Sequence, residues 1–154
     1  MNLRGIIGFG VLAVLASCRP QPDAEAPPSV EYLVSEETRA AGLPFSDAVR
    51  VGQMIYVSGQ IGAAPGSTEV VAGGIGPETR QALENIRAIL ERYGSSMDRV
   101  VKCTVMLADI GEWGAMNQEY VTFFPERFPA RSALGASGLA LGARIEIECW
   151  ATVS

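Results

Sequence analysis

Histidine is absent from this chain, and its absence removes several kinds of active site. Without an imidazole there is no Ser-His-Asp or Cys-His nucleophile pair, no histidine-built metal site and no histidine general base near neutral pH. Lysine is almost as scarce, since Lys102 is the single lysine among 12 Lys and Arg residues and so the single Schiff-base candidate. Any catalysis must therefore use carboxylates, arginine, hydroxyls, thiols or backbone amides.

Positive charge is also in deficit, with 12 Lys and Arg against 17 Asp and Glu and a net charge of −5. Nucleic-acid binding needs a clustered basic surface to contact phosphates, and this composition does not supply one. Apolar residues make up 48% of the chain and charged residues 19%, which is typical of a globular protein. A length of 154 residues suits one domain.

The first residues are predicted to be a targeting signal rather than part of the folded domain. A basic start at Met1 to Arg4 precedes an apolar run over residues 5–16, which is too short for the roughly 20 residues of a membrane-spanning helix. The Leu-Ala-Ser-Cys quartet that ends at Cys18 resembles the lipobox of bacterial lipoproteins, in which the cysteine is lipidated after cleavage. An ordinary secretory signal or a buried amino-terminal helix is the alternative.

A lipid on Cys18 would anchor the protein in the bacterial cell envelope, on the periplasmic face. Arg19 after the cysteine favours the outer membrane in a Gram-negative cell. Residues 19–29 contain four prolines and no large apolar residue, so they cannot bury a core. We therefore assign residues 1–17 to a signal peptide, 18–29 to a Pro-rich tether and 30–154 to the folded domain.

Hydrophobic periodicity within the domain predicts strands around two helices. Alternation on both sides of Gly52-Gln53 is typical of a β-hairpin, and apolar residues recur at helical spacing from Pro77 to Tyr93. The predicted elements, in chain order, are a hairpin over 48–51 and 54–58, a helix over 77–93, a strand over 99–107, a second helix from Trp113 to Phe123 or Phe124, a short strand over 131–134 and a final strand over 144–153. This β-β-α-β-α-β-β order predicts an α+β fold with helices on one face of a mixed sheet.

Six motifs in this domain resemble the Rid family, also called YjgF/Rid or reactive intermediate deaminase, and the resemblance spans residues 43–153. They are YVSGQI at 56–61, TRQALEN at 79–85, VVK at 100–102, NQEY at 117–120, FPARS at 128–132 and IEIE at 145–148. The resemblance implies a chorismate-mutase-like fold that assembles as a homotrimer around a central β barrel, with three clefts between subunits. For archetypal members it also implies hydrolysis of 2-imino acids to 2-keto acids and ammonia.

That reaction needs a cation to fix the substrate carboxylate and an acceptor to orient water. Arg131 suits the first role, because a guanidinium can grip a carboxylate with two hydrogen bonds. Glu146 suits the second, as a carboxylate that holds or deprotonates water and helps protonate the departing nitrogen. The resemblance places the family's anchoring arginine and water-associated glutamate at these two positions. Imines hydrolyse unaided in water, so no metal or organic cofactor is required.

Other positions match the family's pocket or depart from it. Ser58 and Asn117 match pocket residues, whereas Phe45 replaces a tyrosine and loses the hydrogen bond of its phenol to ligand or water. Ala133 stands two residues beyond the arginine, where the family often has a cysteine or another small residue. Residues 135–143 lack the family's Arg-Leu-Pro run, which leaves the shape of one cleft wall open.

Each candidate also has a structural interpretation. Arg131 could form a salt bridge, and Ser58 and Asn117 could cap backbone groups. Glu146 and Glu148 alternate with isoleucines, so they could lie on a solvated strand face. Lys102 lies in the middle of a strand, where a structural role is favoured over nucleophilic catalysis.

The two cysteines of the domain are expected to pack as small apolar residues, because the chain has no histidine to activate a thiol. Cys103 and Cys149 could instead form a disulfide in an oxidising envelope, if their strands are neighbours.

Three functions follow from these residues. The first is an envelope-anchored enamine or imine deaminase that acts on a small imino acid and depends on Arg131 and Glu146. The second is a noncatalytic trimer, tethered to the envelope, that binds small carboxylates or proteins. The third, the ribonuclease activity attached to some family names, is disfavoured by the acidic charge and the absence of histidine.

Overall fold

The computed structural model of the protein describes residues 27–153. The predicted signal peptide, Cys18 with its predicted lipid and tether residues up to 26 lie outside the described residues, as does residue 154. No helix in the described part is both long and apolar enough to cross a membrane.

Seven strands form one mixed sheet, and two of the three α-helices pack against one face of it. The strands are β1 (Val30–Leu33), β2 (Ala48–Val51), β3 (Met54–Val57), β4 (Gln60–Ile61), β5 (Val100–Leu107), β6 (Ala130–Gly135) and β7 (Ile145–Thr152), and the helices are α1 (Glu36–Ala40), α2 (Ile75–Arg92) and α3 (Trp113–Tyr120). The strand order is β1-β2-β3-β7-β5-β6, with β4 also paired to β7. Only the β5–β6 pair is parallel among these described pairs. The predicted α+β class and the predicted order of the main elements are confirmed.

Three elements were not predicted, and each has little apolar patterning of its own. Strand β1 exposes three of its four residues, and the two-residue β4 is too short to show a period. Helix α1 buries no residue, and its start is set locally, since the side chain of Ser35 accepts a hydrogen bond from the backbone N–H of Thr38. Helix α2 begins at Ile75, earlier than predicted, after Gly74 with a φ of 83°.

The core lies between the sheet and the two longer helices. Residues of α2 at helical spacing pack over alternate residues of the central strands β3, β5 and β7. The buried face of α2 comprises Ile75, Glu78, Thr79, Ala82, Leu83, Ile86 and Leu90. The strong periodicity of this helix in the sequence therefore reflects its central place in the core.

Strands β5 and β7 are covalently linked inside this core. Cys103 and Cys149 stand directly opposite each other in the antiparallel ladder, with Cα atoms 4.1 Å apart, and form a disulfide. Both side chains are fully buried. The expectation of two free, apolar-packed thiols is therefore wrong, because it lacked the adjacency and register of the two strands, which only the fold defines.

No helix of the described residues packs on the other side of the sheet, which is called here the open face. A row of cross-strand partners crosses it, in the order Tyr32, Val49, Tyr56 and Trp150. The rings of Tyr56 and Trp150 meet edge to face, 5.2 Å apart between centroids. Tyr32 and Trp150 remain 72% and 40% exposed. The open face thus presents contiguous apolar surface that residues 27–153 do not cover.

Candidate active site

Arg131 lies on the edge strand β6 and points to the helix-covered side of the sheet. It is the ladder partner of Cys103, whose buried side chain faces the helices, and paired residues share a face. The guanidinium carbon lies 4.6 Å from the ring centroid of Tyr120 and 5.7 Å from that of Trp113. One guanidinium nitrogen lies 4.0 Å from the sulfur of Met116. The guanidinium therefore packs against two aromatic rings and one thioether of α3.

Helix α3 supplies this support because its residues recur at helical spacing. Trp113, Met116, Asn117 and Tyr120 lie at intervals that bring them to one side of the helix. Tyr120 is only 2% exposed, and burial raises the pKa of its phenol to about 12, although the charge of Arg131 opposes that shift. The phenol is therefore neutral at ordinary pH. A neutral aromatic ring attracts the guanidinium through cation–π interaction without cancelling its charge.

The charge of Arg131 has no carboxylate partner in the described part of the chain. The ion pairs there use five other arginines, namely Arg50, Arg80, Arg87, Arg92 and Arg144. The salt-bridge interpretation of Arg131 therefore finds no partner among residues 27–153. Arg131 also lines a surface depression of about 320 Å³ together with Ile110, Trp113 and Ala133. We call these four residues and Asn117 the arginine half-site.

Asn117 follows Met116 on the same helix and is half-buried. Its side-chain oxygen is buried and has no hydrogen-bond partner among the described residues, and the same holds for the phenol oxygen of Tyr120. The capping interpretation of Asn117 is therefore not supported by this oxygen. A buried acceptor without a partner is costly unless a ligand, water or another chain supplies a donor.

Glu146 lies on the opposite face of the sheet from Arg131. It pairs with Met106 of β5 and Ile61 of β4, whereas the neighbouring Ile145 and Ile147 face the core. Its carboxylate comes so close to Gly59 that a Cβ atom placed there would lie 2.0 Å from Oε1. Gly59 is therefore required by close approach, and it holds the backbone of the Ser-Gly-Gln motif against this carboxylate.

Ser58 directly precedes this glycine. Its hydroxyl donates a hydrogen bond of 2.6 Å to the carbonyl oxygen of Ser46, so the side chain does act on backbone, as its structural interpretation proposed. Phe45 precedes Ser46 and is 52% exposed. We call Ser58, Gly59 and Glu146 the glutamate half-site, which Phe45 flanks.

One chain does not bring Arg131 and Glu146 together, because the sheet separates them. Alternation along paired strands places the arginine on the helix-covered side and the glutamate on the open face. Two half-sites on opposite faces can form one site only if a second copy of the chain supplies the missing half. The sequence predicted both residues, but it could not reveal this separation, because the register of β6 and β7 was unknown.

Trp113 and Tyr120 were predicted to lie in the second helix and not to form part of a site. Their spacing did signal one shared helix face, but nothing in the sequence indicated that Arg131 would lie against it. Lys102, by contrast, donates a hydrogen bond of 2.7 Å to the hydroxyl of Ser132, as a structural role predicts. No cluster of acidic or cysteine side chains in the described residues could hold a metal ion.

The fold and the half-sites define a small α+β protein of the chorismate-mutase-like type, with an unpaired arginine at the edge of its sheet. The chain belongs to the family whose model is described as "Endoribonuclease L-PSP", which matches residues 36–153 and is the Rid family indicated by the motifs. It is 47% identical over 105 residues to the human 2-iminobutanoate/2-iminopropanoate deaminase, covering 68% of this chain and 77% of that one.

Two further relatives agree with this assignment. The Reactive Intermediate Deaminase A of Arabidopsis thaliana is 37% identical over 123 residues, which cover 80% of this chain and 66% of that protein. The crystal structure of the YjgF gene product of E. coli superposes with a TM-score of 0.72 at 36% identity, covering 79% of this chain and 98% of that one. The Rid resemblance and the predicted fold are thereby confirmed.

Proposed function

We propose that the protein hydrolyses reactive 2-imino acids, or their enamine tautomers, to 2-keto acids and ammonia. The observation that carries the proposal is the unpaired guanidinium of Arg131, which rests on a neutral aromatic ring beside an open depression. Related proteins that are 37–48% identical bear the names of imine or reactive-intermediate deaminases. The acidic charge and the absence of histidine disfavour the ribonuclease named in the family description.

In this reaction Arg131 binds the substrate carboxylate and so places the adjacent C=N carbon next to the water held by Glu146. The glutamate accepts a proton from that water as its oxygen adds to the carbon and the C=N double bond becomes single, and it passes this proton to the nitrogen to give a carbinolamine. It then moves the hydroxyl proton to the same nitrogen, so the C–N bond breaks, ammonia leaves and the C=O bond of the keto acid forms. The buried side-chain oxygen of Asn117 has no donor among the described residues, and the imine N–H or a bound water is proposed to supply one. Positioning and this proton transfer suffice for an electrophile that already reacts slowly with water.

The two half-sites are proposed to meet between copies of the chain in a homotrimer. The open face supports this assembly, because its row of Tyr32, Val49, Tyr56 and Trp150 leaves apolar surface uncovered. A closed ring of three copies would give three equal sites, each with Arg131 from one copy and Glu146 from its neighbour.

The protein is also proposed to act at the bacterial cell envelope, held by a lipid on Cys18 and the Pro-rich tether. The buried disulfide between Cys103 and Cys149 supports this location independently of the leader. Disulfides persist in oxidising compartments such as the periplasm and are rare in the cytosol. Retention at the outer membrane rests only on Arg19, and fractionating the membranes of cells that express the full chain tests it. The same fractionation of cells that express Cys18→Ala tests the lipid anchor.

A noncatalytic carboxylate-binding trimer is the second candidate. The observation that favours it is Phe45, which lacks the phenol that the family's tyrosine would offer to ligand or water beside the glutamate half-site. This candidate predicts that small carboxylates bind at Arg131 but that no imine is consumed.

The deciding experiment uses residues 22–154, which keep the domain but omit Cys18. An amino-acid oxidase generates imino acid in place, and semicarbazide traps what remains. Wild type should lower the trapped imine, and Arg131→Ala should return it to background. Arg39→Ala on α1, which removes an exposed arginine outside both half-sites, should behave as wild type. If wild type leaves the trapped imine at background for small and aromatic imino acids alike, the deaminase proposal fails and the binding trimer stands.

A further inference from the structure

The depression beside Arg131 is charged on one side and apolar on the others. Its remaining lining comes from Ile110, Trp113 and Ala133. Ile110 and Trp113 are 52% and 46% exposed, although Met116 and Tyr120 of the same helical segment are buried. Large apolar side chains therefore remain in contact with solvent at the place where a ligand bound to Arg131 would lie.

A carboxylate bound to Arg131 determines which part of a 2-imino acid reaches this apolar wall. The substrate side chain branches one bond further on, and carbon–carbon bonds are about 1.5 Å long. The guanidinium carbon lies 5.7 Å from the centroid of the Trp113 ring. A methyl or ethyl side chain is therefore too small to cover the indole and Ile110 together, whereas a branched or aromatic side chain can contact both.

Ala133 leaves the room that such a side chain needs. It lies two residues beyond Arg131 on β6, so the two side chains point to the same face of the sheet. Because its side chain ends at Cβ, the depression stays open beside the carboxylate anchor. A leucine at this position would fill the space between the anchor and the apolar wall.

We propose that this site prefers 2-imino acids with branched or aromatic side chains over those with a methyl group, and that Trp113 is the specificity-determining residue. This inference rests on the proposed function, because it takes Arg131 as the anchor of the substrate carboxylate. Each methylene group that a hydrophobic pocket accepts changes kcat/KM by about tenfold or more. Wild type should therefore favour the phenylalanine-derived imino acid over the alanine-derived one by at least about tenfold.

The test compares kcat/KM for these two imino acids in wild type, Trp113→Ala, Trp113→Phe and Ala133→Leu. Trp113→Ala should lower kcat/KM for the aromatic substrate by about tenfold and leave that for the small substrate within about threefold. Trp113→Phe should retain most of the preference, and Ala133→Leu should abolish it by filling the depression. Val121→Ala, which truncates an exposed apolar residue outside the depression, is the matched control and should change neither value.

Two results would overturn the inference. One is a wild-type ratio of one or less, and the other is an equal loss for both substrates in Trp113→Ala, which would assign Trp113 a structural role. Thermal unfolding identifies any variant that does not fold. If Trp113→Ala does not fold, Ala133→Leu still tests whether the aromatic side chain of the substrate occupies the depression, because it fills the depression from β6.

Calorimetric binding of phenylpyruvate and pyruvate separates this inference from the proposed function. Tighter, Trp113-dependent binding of phenylpyruvate without any turnover would keep the selectivity and remove the deaminase. Turnover without selectivity in either assay would keep the deaminase and remove the proposed selectivity.

Discussion

Gly59 determines, at the scale of single residues, where the carboxylate of Glu146 can lie. The glycine is needed not for an unusual backbone angle but for space, because a methyl group there would overlap the glutamate oxygen. The overlapping atom belongs to the end of a flexible side chain, so the fold can survive while the carboxylate is displaced.

We therefore expect Gly59→Ala to lower kcat by about 10- to 100-fold with little change in thermal stability, since it misplaces an acid–base group. Steady-state kinetics and thermal unfolding measure the two effects. Gly76→Ala in α2, where an added Cβ meets nothing within 4 Å, is the matched control and should keep full activity. Unchanged kcat in Gly59→Ala would remove Glu146 from the proposed mechanism.

Arg131 and Glu146 could be chosen as candidates from the sequence, because short motifs surround both residues, and their roles stay predictions. The surroundings of the two side chains could not be predicted. The guanidinium lies on Tyr120 because β6 runs past α3, and the glutamate lies on the other face because of strand register. Both facts depend on contacts between residues far apart in the chain, which no local pattern encodes.

Asp47 shows how one side chain joins separate elements. Its carboxylate, 8% exposed as a residue, accepts hydrogen bonds from the backbone N–H of Ser35 at 2.7 Å, the phenol of Tyr93 at 2.9 Å and the hydroxyl of Thr38. These groups tie the start of α1 and the end of α2 to the residue before β2. Burial alone would raise the pKa of Asp47, but these hydrogen bonds outweigh it and hold the pKa below its ordinary value of 3.8.

A lowered pKa in the folded state stabilises the protein above the ordinary pKa, and this stabilisation is lost as pH falls through the folded-state pKa. Asp47→Asn should therefore lower the free energy of unfolding by about 1–3 kcal/mol at neutral pH. The difference from wild type should begin to shrink as the pH falls to the ordinary pKa of 3.8 and should be lost once the pH passes the lower pKa of the folded-state carboxyl. Urea unfolding across this range measures it, and a difference independent of pH would contradict the assignment.

The disulfide joins β5 to β7 across a sequence separation of 46 residues. A link of this kind chiefly restricts the unfolded chain, so its removal should cost about 2–4 kcal/mol. We expect the double variant Cys103→Ala and Cys149→Ala to unfold at lower urea concentration. A reductant present during unfolding should destabilise wild type and leave the double variant unchanged. Free thiols in the folded wild-type protein would show that the bond is not formed.

The elements with a strong apolar period were predictable, and those without one were not. Helix α2 and strands β5 and β7 bury alternate or helically spaced residues, so their patterns are clear. Strand β1 and helix α1 are ordered by pairing with β2 and by the Asp47 hydrogen bonds. Their order therefore comes from the rest of the fold and leaves little trace in their own sequences.

At the scale of the whole molecule, the proposed trimer would bring Arg131 of one copy to Glu146 of another, since the two residues lie on opposite faces of one sheet. Arg131→Ala and Glu146→Gln should each be inactive alone. Mixed in equal amounts by co-expression, they should recover about one quarter of wild-type activity, because one quarter of the shared sites would receive both intact residues.

Assay of the co-purified mixture, with separately purified variants combined without subunit exchange as the control, checks this expectation. No recovery in verified mixed oligomers would contradict a site that Arg131 and Glu146 of different copies share. The activity of oligomers formed from either variant and wild type shows how freely the two kinds of chain mix.

The disulfide has one more consequence, which concerns proteases. It closes a covalent ring over residues 103–149 that contains Arg131, Glu146 and the largely exposed loop at 135–143. A single cut in that loop would leave both fragments bound through sulfur, so the nicked protein would keep its mass on a gel without reductant and separate only when reduced. The nicked protein would thus lose a peptide bond while Arg131 and Glu146 stay covalently joined in one molecule.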